Sequence, residues 1–486
     1  MEKKRQVKKK ANAEEVAYVK RIAVIGGGIT GLTALYELQK AKRRQNLDIE
    51  LILIEKNSRL GGKIASYHKD GFIMETGADS IVARKDNVMY LVDELGLQDD
   101  LVYNATGLSY ICTDGELHAI PEDSVFGIPL NEEALHASTL LSENAKREVL
   151  KEASLPNRSF TKEDSIGDFL EYFLGKEMVD RQIAPVLSGV YSGDLHQLSI
   201  ESTLPFLLDY KNEYGSILKG LEANQAQFKR AGNKKFISFR NGLSTVVDAF
   251  EEVLSDVSFH KGQGSTSIVP ASEGYRIKLE DGASIEADYV VVATEHQAAQ
   301  QMLASKELDQ VFNSFHDKSL ISIYMAFDVA GNVLPANGTG FIAAEDSGLL
   351  CNACTWTSAK WPNTSRDGRL LVRLFYKNTL SNFDELLKMD EETLIETALQ
   401  DVQKGLSLSA RPMFTKVTKW LDIMPVYNLS HPEAVKELEE KMSALFPGVM
   451  LAGCSYYGVG IADCITNGRR TAASIVKKIG LLQKQV

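Results

Sequence analysis

The stretch Val24-Ile25-Gly26-Gly27-Gly28-Ile29-Thr30-Gly31-Leu32-Thr33-Ala34 decides how the start of the chain folds. A short β-rich run, Arg21 to Ile25, enters it, and the apolar spacing of Leu32, Leu35 and Leu38 predicts a helix beyond it. Gly26, Gly28 and Gly31 fit G-x-G-x-x-G at that junction. The first glycine permits the tight turn and the second lets backbone approach a pyrophosphate. The third lets the helix pack closely on the strand. The free amides of the helix N-terminus then face the diphosphate charge. A second strand, Leu47 to Glu55, ends in a carboxylate suited to both hydroxyls of a ribose. Strand, glycine turn, helix and strand make half of a parallel sheet, and together they predict dinucleotide binding.

Working outward, Lys56-Asn57-Ser58-Arg59-Leu60-Gly61-Gly62-Lys63-Ile64 follows at once. This glycine-bearing loop resembles the second FAD-contacting motif of glutathione-reductase-like and amine-oxidase-like flavoproteins. Backbone passes there where a Cβ would collide, and Arg59 and Lys63 are placed to offset phosphate charge. At the other end of the chain, Leu451-Ala452-Gly453-Cys454-Ser455 reads as a strand end. Tyr456-Tyr457-Gly458-Val459-Gly460-Ile461-Ala462-Asp463 then leads into a helix. The amides of that helix would face the flavin edge that gains negative charge on reduction. One domain closing around one cofactor explains both glycine-rich junctions.

The 486 residues are long enough for two or three domains, and 44% hydrophobic with 24% charged residues is a globular composition. Net charge is −11 although the first twenty residues hold seven basic and three acidic side chains. An acidic body behind a basic tail, 1–20, argues against nucleic acid as a partner. Five cysteines form no disulfide framework and suggest a reducing, cytoplasmic setting. Cys351 and Cys354 make a lone C-x-x-C, which without a second pair reads as structural, so no metal is expected. No apolar run is long enough to span a membrane, which leaves at most peripheral membrane contact through the tail.

Between the two glycine blocks the character changes. A hairpin is predicted over Tyr110 to Ile120 about Asp114-Gly115, with helices at Glu132–Leu141, Glu143–Glu152, Ile166–Leu174 and Met178–Leu187. Leu218 to Lys235 is polar and weakly periodic and reads as a surface excursion. Ser265–Val269 is strand-like, and Tyr275–Glu280 with Ser284–Ala287 is a second hairpin. Tyr289 to Thr294 reads as a buried parallel strand. Ser319–Phe327, Leu350–Thr357 and Leu370–Tyr376 suggest another sheet. The eight histidines are scattered, and His196 and His296 read as local structural or surface residues.

At this level of detail the chain resembles the protoporphyrinogen/coproporphyrinogen oxidase family, closest to its Gram-positive bacterial branch, from Arg21 onward. The matching stretches are Val24–Ala34, Arg59–Ile64, Asp70–Ile81, Leu187–Ser199, Phe239–Ala249 and Tyr456–Ala472. The resemblance implies an α/β fold: a Rossmann-like FAD domain (21–81, 241–300 and 446–479), a helical insertion (82–204) and a mixed-sheet substrate domain (205–240 and 301–445). It implies one noncovalent FAD per chain. The implied contacts are Gly26, Gly27, Gly28, Ile29, Thr30, Gly31, Glu55, Lys56, Lys63, Gly77, Ala78, Asp79 and Ser80. Backbone near Val269, Trp420 beside the isoalloxazine, and Val459, Gly460 and Ile461 complete that set.

The implied activity is oxidation of coproporphyrinogen III to coproporphyrin III, in haem biosynthesis. Six electrons leave in three rounds, each beginning with hydride transfer from a bridge carbon and ending with one O₂ reduced to H₂O₂. No side chain is assigned as acid, base or nucleophile. An apolar disc with carboxylates on its rim wants an apolar slot with a cation at its mouth. Arg84 and Lys85 are the candidate cations, and Leu187, Val190, Tyr191 and Ile342 the candidate walls. A transient contact with ferrochelatase would pass the product on. Alternatives on the same fold are protoporphyrinogen IX oxidation and amine oxidation or carotenoid desaturation. A non-catalytic, flavin-containing haem-pathway binding protein is the reading from a different class.

Overall fold

The structure, a computed structural model, describes residues 19–83, 86–191, 194–229 and 236–483. Arg84 and Lys85 lie outside them, as do residues 1–18 and the side chains of Val190 and Tyr191. A five-stranded parallel sheet is built from β1 (Lys20–Ile25), β2 (Ile49–Glu55), β3 (Val257–Lys261), β4 (Tyr289–Val292) and β5 (Val449–Leu451). Its order is β3-β2-β1-β4-β5. Side chains alternate between two cores. Ile22, Val24, Leu51, Leu53 and Val291 join the helices α1 (Ile29–Gln45) and α2 (Ile461–Gln483) on one side. Ala23, Ile25, Ile52, Ile54, Val290 and Val292 pack on the other, with residues of the antiparallel strands Ser265–Pro270, Tyr275–Leu279 and Ser284–Ala287. Burial on both faces is why these strands read as unbroken apolar runs.

The second sheet has seven strands, in the order Phe414–Val426, His316–Ala330, Arg369–Lys377, Ala353–Thr355, Gly338–Ala343, Leu108–Thr113 and Glu116–Ala119. Only the Gly338–Ala343 and Leu108–Thr113 neighbours run parallel, so the sheet is mixed. Ile321, Ile323, Met325, Val372 and Leu374 fill a core with Trp356, Tyr376 and residues of helix Glu391–Leu406. The alternate residues of the same strands face the parallel-sheet domain.

The domain boundaries read from the sequence need several corrections. Within 82–204, Val88, Leu91 and Val92 pack on the parallel sheet, and within 301–445, Leu308, Val311, Phe312, Leu438 and Met442 do the same. The hairpin about Asp114-Gly115 forms as expected, yet it pairs into the seven-stranded sheet and not into the helical insertion. The segment 205–240 is not part of the substrate sheet. Helices Pro205–Tyr214 and Ile217–Ala223 pack Leu207, Leu208, Ile217, Leu218 and Leu221 into the helical core with Phe169, Phe173 and Met178. Strand Phe236–Phe239 instead pairs with Ile81–Val82 and Leu101–Tyr103 beside the parallel sheet. The expected surface excursion therefore begins with buried helix. Ser216 caps it through the Lys219 amide. The buried Glu152 carboxylate, paired with Lys211 at 2.8 Å, accepts from the Ile217 and Leu218 amides.

Candidate cofactor and substrate site

The glycine turn after β1 is shaped by steric exclusion. Gly26 has φ +106°, and a Cβ on it would lie 2.6 Å from the Ala293 carbonyl oxygen. A Cβ on Gly31 would lie 2.1 Å from the Gly26 oxygen, so only glycine lets α1 start this close to β1. A Cβ on Gly28 would meet nothing within 4 Å: its space is open, as a path for a phosphate must be. The Gly61 amide donates to the Gly27 carbonyl (2.8 Å), which ties the Arg59–Ile64 loop to the same turn. Glu55 is buried at the end of β2. It accepts from the Gly27 amide (2.8 Å) and from the Asn57 backbone and side chain (2.9 and 2.8 Å). A carboxylate has about four acceptor positions, so one is left for a ribose hydroxyl.

The C-terminal junction meets this turn directly. A Cβ on Gly468 of α2 would lie 2.5 Å from the Thr30 carbonyl of α1. Gly453, with φ +104°, follows β5, and its amide is held by the Asn467 side chain at 2.9 Å. The Tyr427 hydroxyl donates to the Cys454 carbonyl (2.7 Å) and accepts from the Gly458 amide, which fixes the loop before α2. Lys63 reaches the Ile423 carbonyl and the Cys454 thiol (3.5 Å), with Glu295 at 3.8 Å.

A third wall is the loop after strand Phe72–Glu75. A Cβ on Gly77 would lie 2.0 Å from the Lys63 oxygen. The seven-stranded sheet grips this loop. Trp420 Nε1 donates to the Thr76 carbonyl (2.7 Å), and the buried Arg373 guanidinium donates to the same carbonyl (3.1 Å) and to that of Gly77 (3.0 Å). Lys360 pairs with Asp79 at 2.9 Å. Burial would raise the Asp79 carboxyl, but Lys360 and Arg373 outweigh it and hold it down to about 2. Glu75 is the opposite case. Burial pushes it up to about 7 against the hydrogen bonds from the Leu243 amide and the Ser66 hydroxyl. Two carboxylates four residues apart are thus set to different protonation by their surroundings.

Residues 29–476 match the family model of flavin containing amine oxidoreductases. The chain is 33% identical over 457 residues to the coproporphyrinogen III oxidase of Bacillus subtilis, covering 93% of this chain and 96% of that one. It is 30% identical over 476 residues to the coproporphyrinogen III oxidase of Staphylococcus aureus, covering 95% and 100%. A solved structure from Exiguobacterium sp. 255-15, described provisionally as a protoporphyrinogen oxidase, matches with TM-score 0.85 at 31% identity, over 95% and 99% of the two chains. The chain belongs to the flavin containing amine oxidoreductase family. Within it the chain is closely related to the coproporphyrinogen and protoporphyrinogen oxidases, and family membership supports FAD as cofactor and oxygen as electron acceptor. The open space at Gly28, the buried Glu55 and the α1 amides fit such a dinucleotide.

For this flavin oxidoreductase, the structure gathers Gly26, Gly27, Gly28, Ile29, Thr30, Gly31, Glu55 and Lys63 into one cradle, and Gly77 packs against Lys63. Asp79 is tied to Ser80, and Trp420 sits against Thr76. Gly460 precedes α2 and Ile461 opens it, while Val459 is half exposed. Lys56 is exposed beside Glu55. Val269 is not near Glu55. The backbone there is Gln263, whose amide donates to the Glu55 carbonyl (3.1 Å), and Val269 sits exposed near the far end of an edge strand. Leu187 packs inside the helical core and lines no slot. Ile342 is well placed: the row Ile342, Ala353, Phe375, Ser322 and Thr418 runs across the sheet on the face that carries Arg373. Of the two readings for His296, structural or surface, the structure shows the buried one, with Nδ1 at 3.4 Å from the Asp317 carboxylate. Cys351 and Cys354 are buried structural thiols, and among the described residues no cluster could hold a metal. Among the described residues no helix is long and apolar enough to cross a membrane.

Sequence reading missed Arg373 and Lys360. An arginine inside the apolar run Arg369–Lys377 was the available signal, since a buried guanidinium needs acceptors.

Proposed function

We propose that this protein oxidises a porphyrinogen, with coproporphyrinogen III as its preferred substrate and dioxygen as the final electron acceptor. The observation that carries the reading is the sheet face beside the cradle. Trp420, Leu320 and Lys377 form one cross-strand row, and the Lys318 charge, beyond a register irregularity, lies close enough to act on Lys377. An apolar surface that begins at the cofactor loop thus ends in two ammonium groups. Lys377 is four residues from Arg373 along its strand, about 13 Å, a span suited to a flat macrocycle with acids on its rim. Burial pulls the Lys377 ammonium down to about 8, and the nearby Lys318 charge adds to this. Two close cations, with Asp194 the acidic neighbour of Lys318, favour a polycarboxylate ligand. The similarity to coproporphyrinogen III oxidases at 33% and 30% identity supports the same substrate.

FAD, when bound, supplies a two-electron acceptor that dioxygen regenerates. The α1 amides would hold its diphosphate, and Glu55 would accept from a ribose hydroxyl. The ionised Asp79, Arg373 and Trp420 fix the 76–80 loop as a rigid wall against which the macrocycle is oriented. Lys318 and Lys377 anchor its rim acids. Removing six electrons takes three rounds, each consuming one O₂ and releasing one H₂O₂.

The test compares initial rates of porphyrin fluorescence from coproporphyrinogen III and protoporphyrinogen IX. A higher kcat/KM on the tetracarboxylate is expected. A strict preference for protoporphyrinogen IX would establish the second reading, which the 31% identical Exiguobacterium structure favours. Oxidation of neither, with peroxide formed from an amine, would overturn both.

A further inference from the structure

The thiols of Cys454 and Cys464 meet where the two glycine-rich junctions join. Cys454 follows Gly453 and is partly exposed; Cys464 lies in the first turn of α2 and is buried. The two side chains are neighbours, each acting on the other's acidity, and the Cys464 thiol donates to the Gly458 carbonyl (3.5 Å). The Lys63 ammonium stands 3.5 Å from the Cys454 sulfur. Glu295, 3.8 Å from Lys63, is the acidic neighbour that opposes it.

The remaining cysteines differ in kind. Cys112, Cys351 and Cys354 are buried in the seven-stranded sheet, and burial pushes all three thiols up. The neighbouring Cys464 side chain and the Lys63 charge pull the Cys454 thiol down against burial, while Cys464 itself is pushed up. A thiolate beside a cation, partly open and within reach of a second thiol, is the arrangement of an oxidisable pair.

We infer that Cys454 and Cys464 form a peroxide-oxidisable dithiol at the cofactor cradle, Cys454 taking the oxygen and Cys464 resolving it. The Cys454 sulfur attacks hydrogen peroxide: an S–O bond forms, the O–O bond breaks, and the leaving hydroxide takes a proton to become water. The Cys464 sulfur then displaces the sulfenic hydroxyl. The S–S bond forms, and the hydroxide leaves with the thiol proton as a second water. Two thiols lose two electrons and one peroxide is reduced to two waters. The inference rests on the oxidase reading for the source of peroxide, because each round would release one beside this pair. The disulfide would tie the segment after β5 to α2 and leave Glu295 as the acidic partner of Lys63, so turnover would mark its own cradle.

Both thiols lie in one tryptic peptide, residues 442–469. The holoprotein is treated with a small excess of hydrogen peroxide, alkylated and digested. Loss of two hydrogens from that peptide, with both alkylations blocked and the other three cysteines still alkylated, is expected. In Cys464→Ser, dimedone should trap Cys454 as the sulfenic acid; in Cys454→Ser, Cys464 should stay alkylatable. Lys63→Met should slow alkylation of Cys454 about tenfold at neutral pH. Retention of both thiols, or over-oxidation of Cys454 with Cys464 still free, would overturn the inference. Because peroxide is added, this result is independent of turnover: a protein that oxidises no porphyrinogen yet forms the disulfide defeats only the oxidase reading.

Discussion

The two walls of the site are built on opposite principles. On the parallel-sheet side the backbone makes the cradle, and its shape depends on atoms that are missing: a Cβ on Gly26, Gly31, Gly77 or Gly468 would stand 2.6 Å or less from a carbonyl oxygen. On the seven-stranded side, side chains make the surface: Trp420, Leu320, Lys377 and Arg373 share a face because strand register aligns them, with the Lys318 charge close to Lys377. Changes to the cradle should therefore abolish binding. Changes to the sheet face should tune it.

The largest effect is expected at Gly31. Gly31→Val places carbon against the Gly26 oxygen, and the purified variant should lack the flavin absorbance of the parent, with weakened folding seen by circular dichroism. Gly28→Ala sharpens the point. Its Cβ enters open space and its φ of −73° suits alanine, so the apoprotein should melt as the parent does. FAD affinity should fall by about tenfold or more, the scale of a lost phosphate–amide hydrogen bond. If both glycines behave alike, the cradle is not shaped as described.

On the sheet face, Lys318→Gln and Lys377→Gln should each raise KM for coproporphyrinogen III about tenfold with kcat little changed. KM for protoporphyrinogen IX should rise less, since fewer acids need cations. Equal effects on both substrates would break the contrast between a wall that holds and a wall that selects. Smaller still, Trp420→Phe removes the hydrogen bond to the Thr76 carbonyl and should cost about 1 kcal/mol in denaturant unfolding.

The legibility of the sequence divides along the same line. The cradle is local: Gly26 to Gly31, Glu55 and the Gly61-Gly62 loop carry their geometry in spacing, and the strands carry it in alternation. The sheet face is not local. Trp420, Leu320 and Lys377 meet only through pairings between segments far apart in the chain, with an irregularity between Lys318 and Leu320 that no composition reveals. Leu187 failed as a wall because an apolar residue reads the same in a core and in a slot. Strand alternation puts Ile342 on the face of Arg373, where a wall residue would have to stand. The short helix Ile217–Ala223 was hidden by its length and by Gly220, although Ser216 was a visible cap.

The last expected effect is a pH slope. Glu75 has a folded pKa of about 7 against 4.5 unfolded, so the folded state holds more protons between those values. Its contribution is present below 4.5 and is lost as pH rises through 7. The melting temperature of the parent should fall across that window more steeply than that of Glu75→Gln.

The most direct test of the central claim is anaerobic mixing of the natively purified, FAD-loaded protein with coproporphyrinogen III. The account predicts that the blue absorption band of oxidised flavin bleaches on mixing and that porphyrin fluorescence grows when air is admitted. A protein that carries no flavin and takes up none, or a flavin band that stays unbleached, would contradict it.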